Sequence, residues 1–213
     1  MSAINHFLEL KCAGDVLNSV YPFLEPEKEI TESMSIIKRI KKILVTNPNK
    51  YNIFDLCSGN CVTSSLIAHL FKVKNVVAID NKDRDRQGFS KIRGFSRIKL
   101  DIIKEKDILI KTINENNPSI IVSVHPCDEL AIAIIDIYKK SGADYLIMMP
   151  CCEGNKSEKY PSFIVDKLSP YELWCLDLCK LSNGNGQFDK QCKSEKNIVI
   201  VCNKDKKFNE IQE

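Results

Sequence analysis

The run Asp55-Leu-Cys-Ser-Gly-Asn-Cys61 follows the apolar pair Ile53-Phe54 and precedes residues apolar at helical spacing: Val62, Leu66, Ile67, Leu70 and Phe71. A second short apolar run, Val76-Val-Ala-Ile79, ends in Asp80. Strand, small-residue turn, helix, strand, acid is a way for an α/β sheet to build a nucleoside pocket. In that reading Cys57, Ser58, Gly59 and Asn60 let a ligand approach the backbone closely. The N–H groups from about Asn60 onward open a helix and attract a ligand's negative end. Gly59 takes the backbone angles that a tight turn needs. Asp80 accepts from a ribose diol, and Asp101, after Ile98-Lys99-Leu100, accepts from an adenine amino group. A hydrogen bond to a charged acceptor contributes roughly 1.5–3 kcal/mol. Three carboxylates at successive strand ends suit a hydroxyl- and amine-rich ligand and repel a polyphosphate. Two of them have a plainer alternative role. Asp55 can hold the turn through backbone N–H groups, and Asp101 can cap a helix that begins near Lys104.

Two further strand ends carry reactive side chains, His125-Pro-Cys-Asp128 and Pro150-Cys-Cys152. His125 titrates near neutrality and is a candidate general base. Cys127 is a nucleophile only where its pKa is lowered. Against these roles, Pro126 can simply fix a turn, His125 can bond the backbone, and Asp128 can cap the helix from Glu129 to Lys140. Cys127, Cys151 and Cys152 with His125 have the donor chemistry of a tetrahedral zinc set. Adjacent cysteines make poor joint ligands and no Cys-x-x-Cys pair occurs, so no metal is expected. Cys175 and Cys179 alternate with Asp177 as on one strand face and read as core.

These groups need a scaffold. Strands are expected at 53–57, 76–79, 97–100, 119–124, 144–149, 173–180 and 197–202, and helices at 62–72, 104–116 and 128–140, with others near 83–92 and 161–168. Alternation of strands and helices argues for a parallel sheet with right-handed crossovers. The last two strands, joined by a polar loop containing Asn183-Gly-Asn-Gly186, read as an antiparallel hairpin. Residues 1–50 read as a separate helical extension. A short first helix carries Phe7, Leu8, Val16, Leu17 and Val20 and ends at Pro22. A second, capped by Thr31, turns Met34, Ile36, Ile37, Ile40, Ile43 and Leu44 inward and Lys38, Arg39, Lys41 and Lys42 to solvent.

The 213 residues fit one domain with a sizeable core, and 44% apolar with 28% charged residues is ordinary for a globular protein. A net charge of +3 does not by itself identify a nucleic-acid binder. No apolar run approaches a membrane span and the N-terminus lacks a signal-peptide pattern, so a cytoplasmic protein without membrane contact is expected. The ten cysteines then read as reduced thiols. Arg84, Arg86, Lys91, Arg93, Arg97 and Lys99, with Phe89 and Phe95 among them, are either an RNA-binding segment or a solvated helix with two core phenylalanines.

Asp55-Leu-Cys-Ser-Gly-Asn-Cys61, Asp80, Asp101 and the terminal hairpin together resemble class I S-adenosylmethionine-dependent methyltransferases over residues 50–203. His125-Pro-Cys-Asp-Glu-Leu130 and Met149-Pro-Cys-Cys152 resemble a branch that includes tRNA ribose methyltransferases and uncharacterised methyltransferase-like proteins. The resemblance implies a Rossmann-like α/β fold, a seven-stranded mostly parallel sheet with a C-terminal antiparallel hairpin. It implies a methyltransferase domain at 51–213 behind the N-terminal helical extension, 1–50. It further implies S-adenosylmethionine bound by Asp55, Cys57, Ser58, Gly59, Asn60, Asp80 and Asp101. The methyl acceptor, an oxygen or nitrogen, RNA and tRNA in particular, would lie by His125, Cys127 and Asp128 on one side and Pro150, Cys151 and Cys152 on the other. Such transfer needs alignment and desolvation more than an acid–base group. The chain departs from the family where glycines are replaced by Cys57 and Cys61. That departure keeps open a non-catalytic nucleoside-binding protein. A nicotinamide-dependent oxidoreductase is opposed by the missing Gly-x-Gly-x-x-Gly.

Overall fold

The structure, a computed structural model, describes residues 2–22, 24–45, 47–83, 88–153 and 160–205. Three helices come first: α1 (Ala3–Leu8), α2 (Ala13–Val20) and α3 (Pro26–Leu44). Then follow β1 (Asn52–Leu56), α4 (Val62–Leu70), β2 (Asn75–Asp80), β3 (Phe95–Lys99), α5 (Lys106–Glu115), β4 (Ser119–Val124), α6 (Glu129–Ser141) and β5 (Tyr145–Met149). The chain closes with α7 (Ser162–Val165), α8 (Pro170–Ser182), β6 (Asn185–Phe188) and β7 (Ile198–Asn203).

The strands form one sheet in the order β3-β2-β1-β4-β5-β7-β6. β1 to β5 run parallel, while β7 is antiparallel to both β5 and β6. This is the expected mostly parallel seven-stranded sheet with a terminal hairpin. The central strands are apolar without alternation because helices cover both faces. On one face Ile53, Val76, Ala78, Ile120, Val122 and Ile147 pack against α1 to α4. On the other, Phe54, Leu56, Ile79, Ile121, Leu146 and Ile200 pack against α5, α6 and α8. The N-terminal helices therefore share a core with the sheet. Among the described residues no helix is long and apolar enough to cross a membrane.

The hairpin forms from a different segment than expected. The expected strand at 173–180 is inside α8, and β6 begins only at Asn185, in the Asn-Gly stretch read as a loop. Two local signals start and stop that helix. Ser169 and Glu172 form a reciprocal capping box, with Pro170 in the first turn, and Asn183 ends it in the left-handed conformation. Tyr171, Cys175, Leu178 and Ser182 are buried at helical spacing. Cys175 and Cys179 thus belong to a helix, not to a strand face.

Three smaller expectations also change. The first helix is two, separated by a turn in which the Leu10 N–H donates to the Phe7 carbonyl. The next begins at Pro26, a residue preorganised for a first turn, so Thr31 lies inside α3 and its hydroxyl bonds the Lys28 carbonyl. Arg39 is not on a solvated face. It is buried in an ion pair with Asp189, which also accepts from the Ser35 hydroxyl at 2.6 Å. Burial alone would raise the Asp189 pKa, but the Ser35 and Arg39 hydrogen bonds outweigh it and hold the carboxyl at about 2.

Candidate functional site

Parallel strands place their carboxyl ends side by side, and the register here does so for β1, β2 and β3: Leu56 pairs with Ile79, and Asp80 with Lys99. After Leu56 the chain leaves the sheet through three left-handed residues, Cys57 (φ 60°), Gly59 (φ 51°) and Cys61 (φ 61°). The turn is held by backbone bonds, Ser58 N–H to the Ile79 carbonyl at 3.0 Å and Cys61 N–H to the Ser58 carbonyl at 2.7 Å. Cys61 then stands at the N-cap of α4. The two cysteines at glycine positions of the family pattern thus occupy backbone that glycine adopts without strain.

Asp80 braces this turn. One carboxylate oxygen accepts from Gly59 N–H at 2.9 Å, the other from Lys82 N–H at 2.9 Å. A side chain built on Gly59 would meet nothing within 4 Å, so the space above the turn is open to a ligand. Asp101 does not cap the following helix, whose N-cap is Glu105, but braces the turn before it. It accepts from the N–H groups of Ile103 and Lys104 at 3.0 and 3.2 Å, and these bonds lower its pKa. Asp55 is 1% exposed and accepts from the Ser64 hydroxyl and backbone, so it pins the start of α4 from beneath. Burial pushes its carboxyl up to about 7 against the pull of Ser64.

Cys57 sits at the centre. Burial pushes its thiol to about 12, with the charges of Asp80, Asp55, Cys127 and Asp101 adding to the shift. That thiol stays protonated at neutral pH.

On the acceptor side, His125 (φ 59°) continues β4 and donates its backbone N–H to the Met149 carbonyl at 2.8 Å. Its ring Nε2 lies 2.6 Å from Glu32 Oε1. Asp128 stands at the N-cap of α6 without a side-chain cap bond, so the expected capping role is filled by position only. Pro150 is buried, and Cys151 and Cys152 after it are half-buried. Cys127 and Cys151 place their sulfurs 3.0 Å apart, and Cys151 and Cys152 3.6 Å. Burial and the neighbouring thiols raise the Cys151 pKa far above its ordinary value, so it has no activated-nucleophile character.

The sequence pattern alone does not place α3 in the site. Glu29 of this helix accepts from the Asn60 side chain at 2.8 and 3.0 Å, and Glu32, 1% exposed, faces His125. A signal for it exists: Thr31-Glu-Ser-Met-Ser35 places four polar residues around Met34 in an amphipathic helix, and all five residues are buried. Ser33 bonds Thr63 of α4 at 2.9 Å and Thr31 accepts from Lys193 N–H at 3.1 Å.

Of the basic segment, Arg84 and Arg86 lie outside the described residues. Phe89 and Phe95 pack on each other with ring centres 5.2 Å apart, and Phe89 is core. Arg97 is engaged with Asp83 and the Lys82 carbonyl. Lys91, Arg93 and Lys99 are exposed.

Residues 27–159 match the family model described as a methyltransferase domain, well over half of the chain. The chain belongs to this methyltransferase family. No curated protein matches it. Among solved structures, a mutant of MtNAS in complex with S-adenosylmethionine aligns at 10% identity over 93% of this chain and 69% of that one, TM-score 0.48. The fibrillarin/Nop5p complex aligns at 12% identity over 77% and 79%, TM-score 0.47. An S-adenosylmethionine-dependent methyltransferase from Anabaena variabilis aligns at 13% identity over 93% of each chain, TM-score 0.45.

Proposed function

We propose that the chain is an S-adenosylmethionine-dependent methyltransferase with the cofactor lying across the ends of β1, β2 and β3. The observation that carries this reading is the Asp80 carboxylate held on Gly59 N–H at 2.9 Å beside an open, left-handed turn at the aligned ends of β1, β2 and β3. When bound, the cofactor supplies a sulfonium methyl for in-line transfer to an oxygen or nitrogen. Asp80 and Asp101 present acceptors for ribose and adenine donors, and Ser58, Gly59 and Asn60 give close backbone approach. Asp55 supports the turn from below. Cys57, kept neutral, offers no thiolate to be methylated in place of the acceptor.

The acceptor pocket is formed by His125, Cys127 and Asp128 with Pro150, Cys151 and Cys152. His125, with Nε2 facing Glu32 Oε1 at 2.6 Å, has Nδ1 left to take the proton that the acceptor releases. Residues 1–50, as an extension in front of the methyltransferase domain at 51–213, wall this pocket through α3. The acceptor we favour is RNA, tRNA in particular, because the branch resemblance points there and Lys91, Arg93 and Lys99 are exposed beside the cofactor strands. All ten cysteines are unpaired, which suits a reducing cytoplasm.

Calorimetric titration with S-adenosylmethionine tests the reading, with expected binding in the micromolar range. Asp80→Asn replaces a charged acceptor by an amide and should weaken binding by about 2 kcal/mol, roughly 30-fold. Labelled methyl transfer to total RNA then tests the acceptor. An Asp80→Asn variant that is folded and binds as the parent does would refute the cofactor placement.

A further inference from the structure

Three sulfurs meet at the ends of β4 and β5. Cys127 follows β4, Cys151 and Cys152 follow β5, and their Sγ atoms all lie within 4.8 Å of one another. Around a tetrahedral zinc with Zn–S bonds of ~2.3 Å, neighbouring sulfurs stand about 3.8 Å apart. The separations here, 3.0 Å for Cys127–Cys151 and 3.6 Å for Cys151–Cys152, are within about 1 Å of that spacing. The sequence-level objection to adjacent cysteines as joint ligands does not hold for this backbone, which turns both sulfurs toward Cys127.

We infer that Cys127, Cys151 and Cys152 form a binding site for one thiophilic d10 cation, with zinc as its divalent form. Soft thiolate donors select such ions over magnesium or calcium. A disulfide would use two of the sulfurs and leave the third over, whereas one ion engages all three. The surroundings fit a bound cation. Asp128 N–H points at the Cys152 sulfur, as backbone donors do around metal thiolates. Without an ion the Cys127 and Cys151 thiols donate to the His125 carbonyl at 3.6 Å, and these are the protons that a bound cation displaces. Cys127 is exposed, so an ion has a way in. Three thiolates and a divalent ion leave one negative charge, and Lys28 of α3 is near enough to feel the Cys151 charge. His125 is not a fourth ligand, because its Nε2 faces Glu32. The fourth position is open to water or to an acceptor atom. This site does not depend on methyl transfer.

The test uses the full chain, reduced and stripped of metal, titrated with zinc against a chromogenic chelator and then with cobalt. One zinc per chain and thiolate-to-cobalt charge-transfer absorption are expected. Cys127→Ser, at an exposed position, should lower zinc affinity at least tenfold with an unchanged circular dichroism spectrum, and Cys151→Ser should do the same. Cys12→Ser, in the N-terminal helical region, should bind as the parent does. Failure of the folded, reduced parent to bind zinc, or equal affinity in Cys127→Ser, would overturn the inference. So would a Cys127–Cys151 disulfide found by mass spectrometry under conditions that keep the other thiols reduced.

Discussion

Replacing Asp55 by Asn should make the protein's stability less dependent on pH, in a direction fixed by the structure. The carboxyl is buried under the turn after β1, and its folded pKa is about 7 against an ordinary value of 3.8. A raised folded pKa means that the favourable contribution is complete below the unfolded value and is lost as pH rises through the folded one. The difference between the two values corresponds to about 4 kcal/mol. With these two values, roughly 1.7 kcal/mol of the loss is already present at pH 5 and about 4 kcal/mol at pH 8. The amide of the Asp55→Asn variant does not titrate. Its oxygen can still accept from Ser64, but its NH2 lacks a partner, a constant penalty of about 1–3 kcal/mol at every pH. The unfolding free energy of Asp55→Asn minus that of the parent should therefore rise by about 2.5 kcal/mol between pH 5 and pH 8. Urea unfolding of both proteins at the two pH values, with reductant present, measures it. Parallel behaviour within about 0.5 kcal/mol would show that Asp55 is ionised in the fold at ordinary pH, and the argument from burial would fail.

Asp189→Asn should cost about 3 kcal/mol at pH 7 by leaving Arg39 buried without a counter-charge. Because the Asp189 folded pKa is depressed to about 2, that contribution is present above the unfolded pKa near 4 and lost as pH falls through 2. A loss below about 1 kcal/mol in urea unfolding at pH 7 would contradict it. Ser169→Ala removes one half of the α8 capping box and should lower stability by about 1 kcal/mol, with no change in S-adenosylmethionine affinity. At Cys61, Gly should be more stable than Ala by about 1 kcal/mol, since both lose the buried sulfur and only Ala keeps the left-handed strain. An Ala variant as stable as the Gly variant in thermal unfolding would rule out strain at this position.

The central parallel strands β1, β4 and β5 were legible because each is buried along its length and so reads as an apolar run, as in Ile120-Ile-Val122, whereas the edge strand β3 is largely exposed and showed only through the alternation Ile98-Lys99-Leu100. The acids and cysteines at their ends were legible for the same reason, since a strand's end marks the site edge of an open sheet. The segment 173–180 was not, because Leu173, Cys175 and Asp177 also alternate like a half-buried strand. Periodicity over so few residues does not separate the two states, and the decisive information lay outside it, at Ser169, Glu172 and Asn183. Whether Asp55 faces a ligand or the backbone was equally open from sequence. That depends on where α4 starts relative to β1, a tertiary relation that only the structure supplies.

Glu29 and Glu32 show a different limit. A helix written on its own sequence does not say what lies opposite it, and the polar run of α3 meets partners from 30 to 162 residues away. Glu29 bonds the turn through Asn60, the polar run bonds α4 through Thr63 and the β6–β7 connection through Asp189 and Lys193, and Glu32 meets the end of β4 at His125. A turn that carries cysteine at two left-handed positions is intrinsically costlier to form than one of glycines, by about 1–2 kcal/mol for each. The bonds from α3 that reach this region, Glu29 to the Asn60 side chain and Ser33 to Thr63 of α4, at about 1 kcal/mol each offset part of that strain. On this argument α3, which from Glu27 on lies within the family match at 27–159, supports the turn where the glycines are missing.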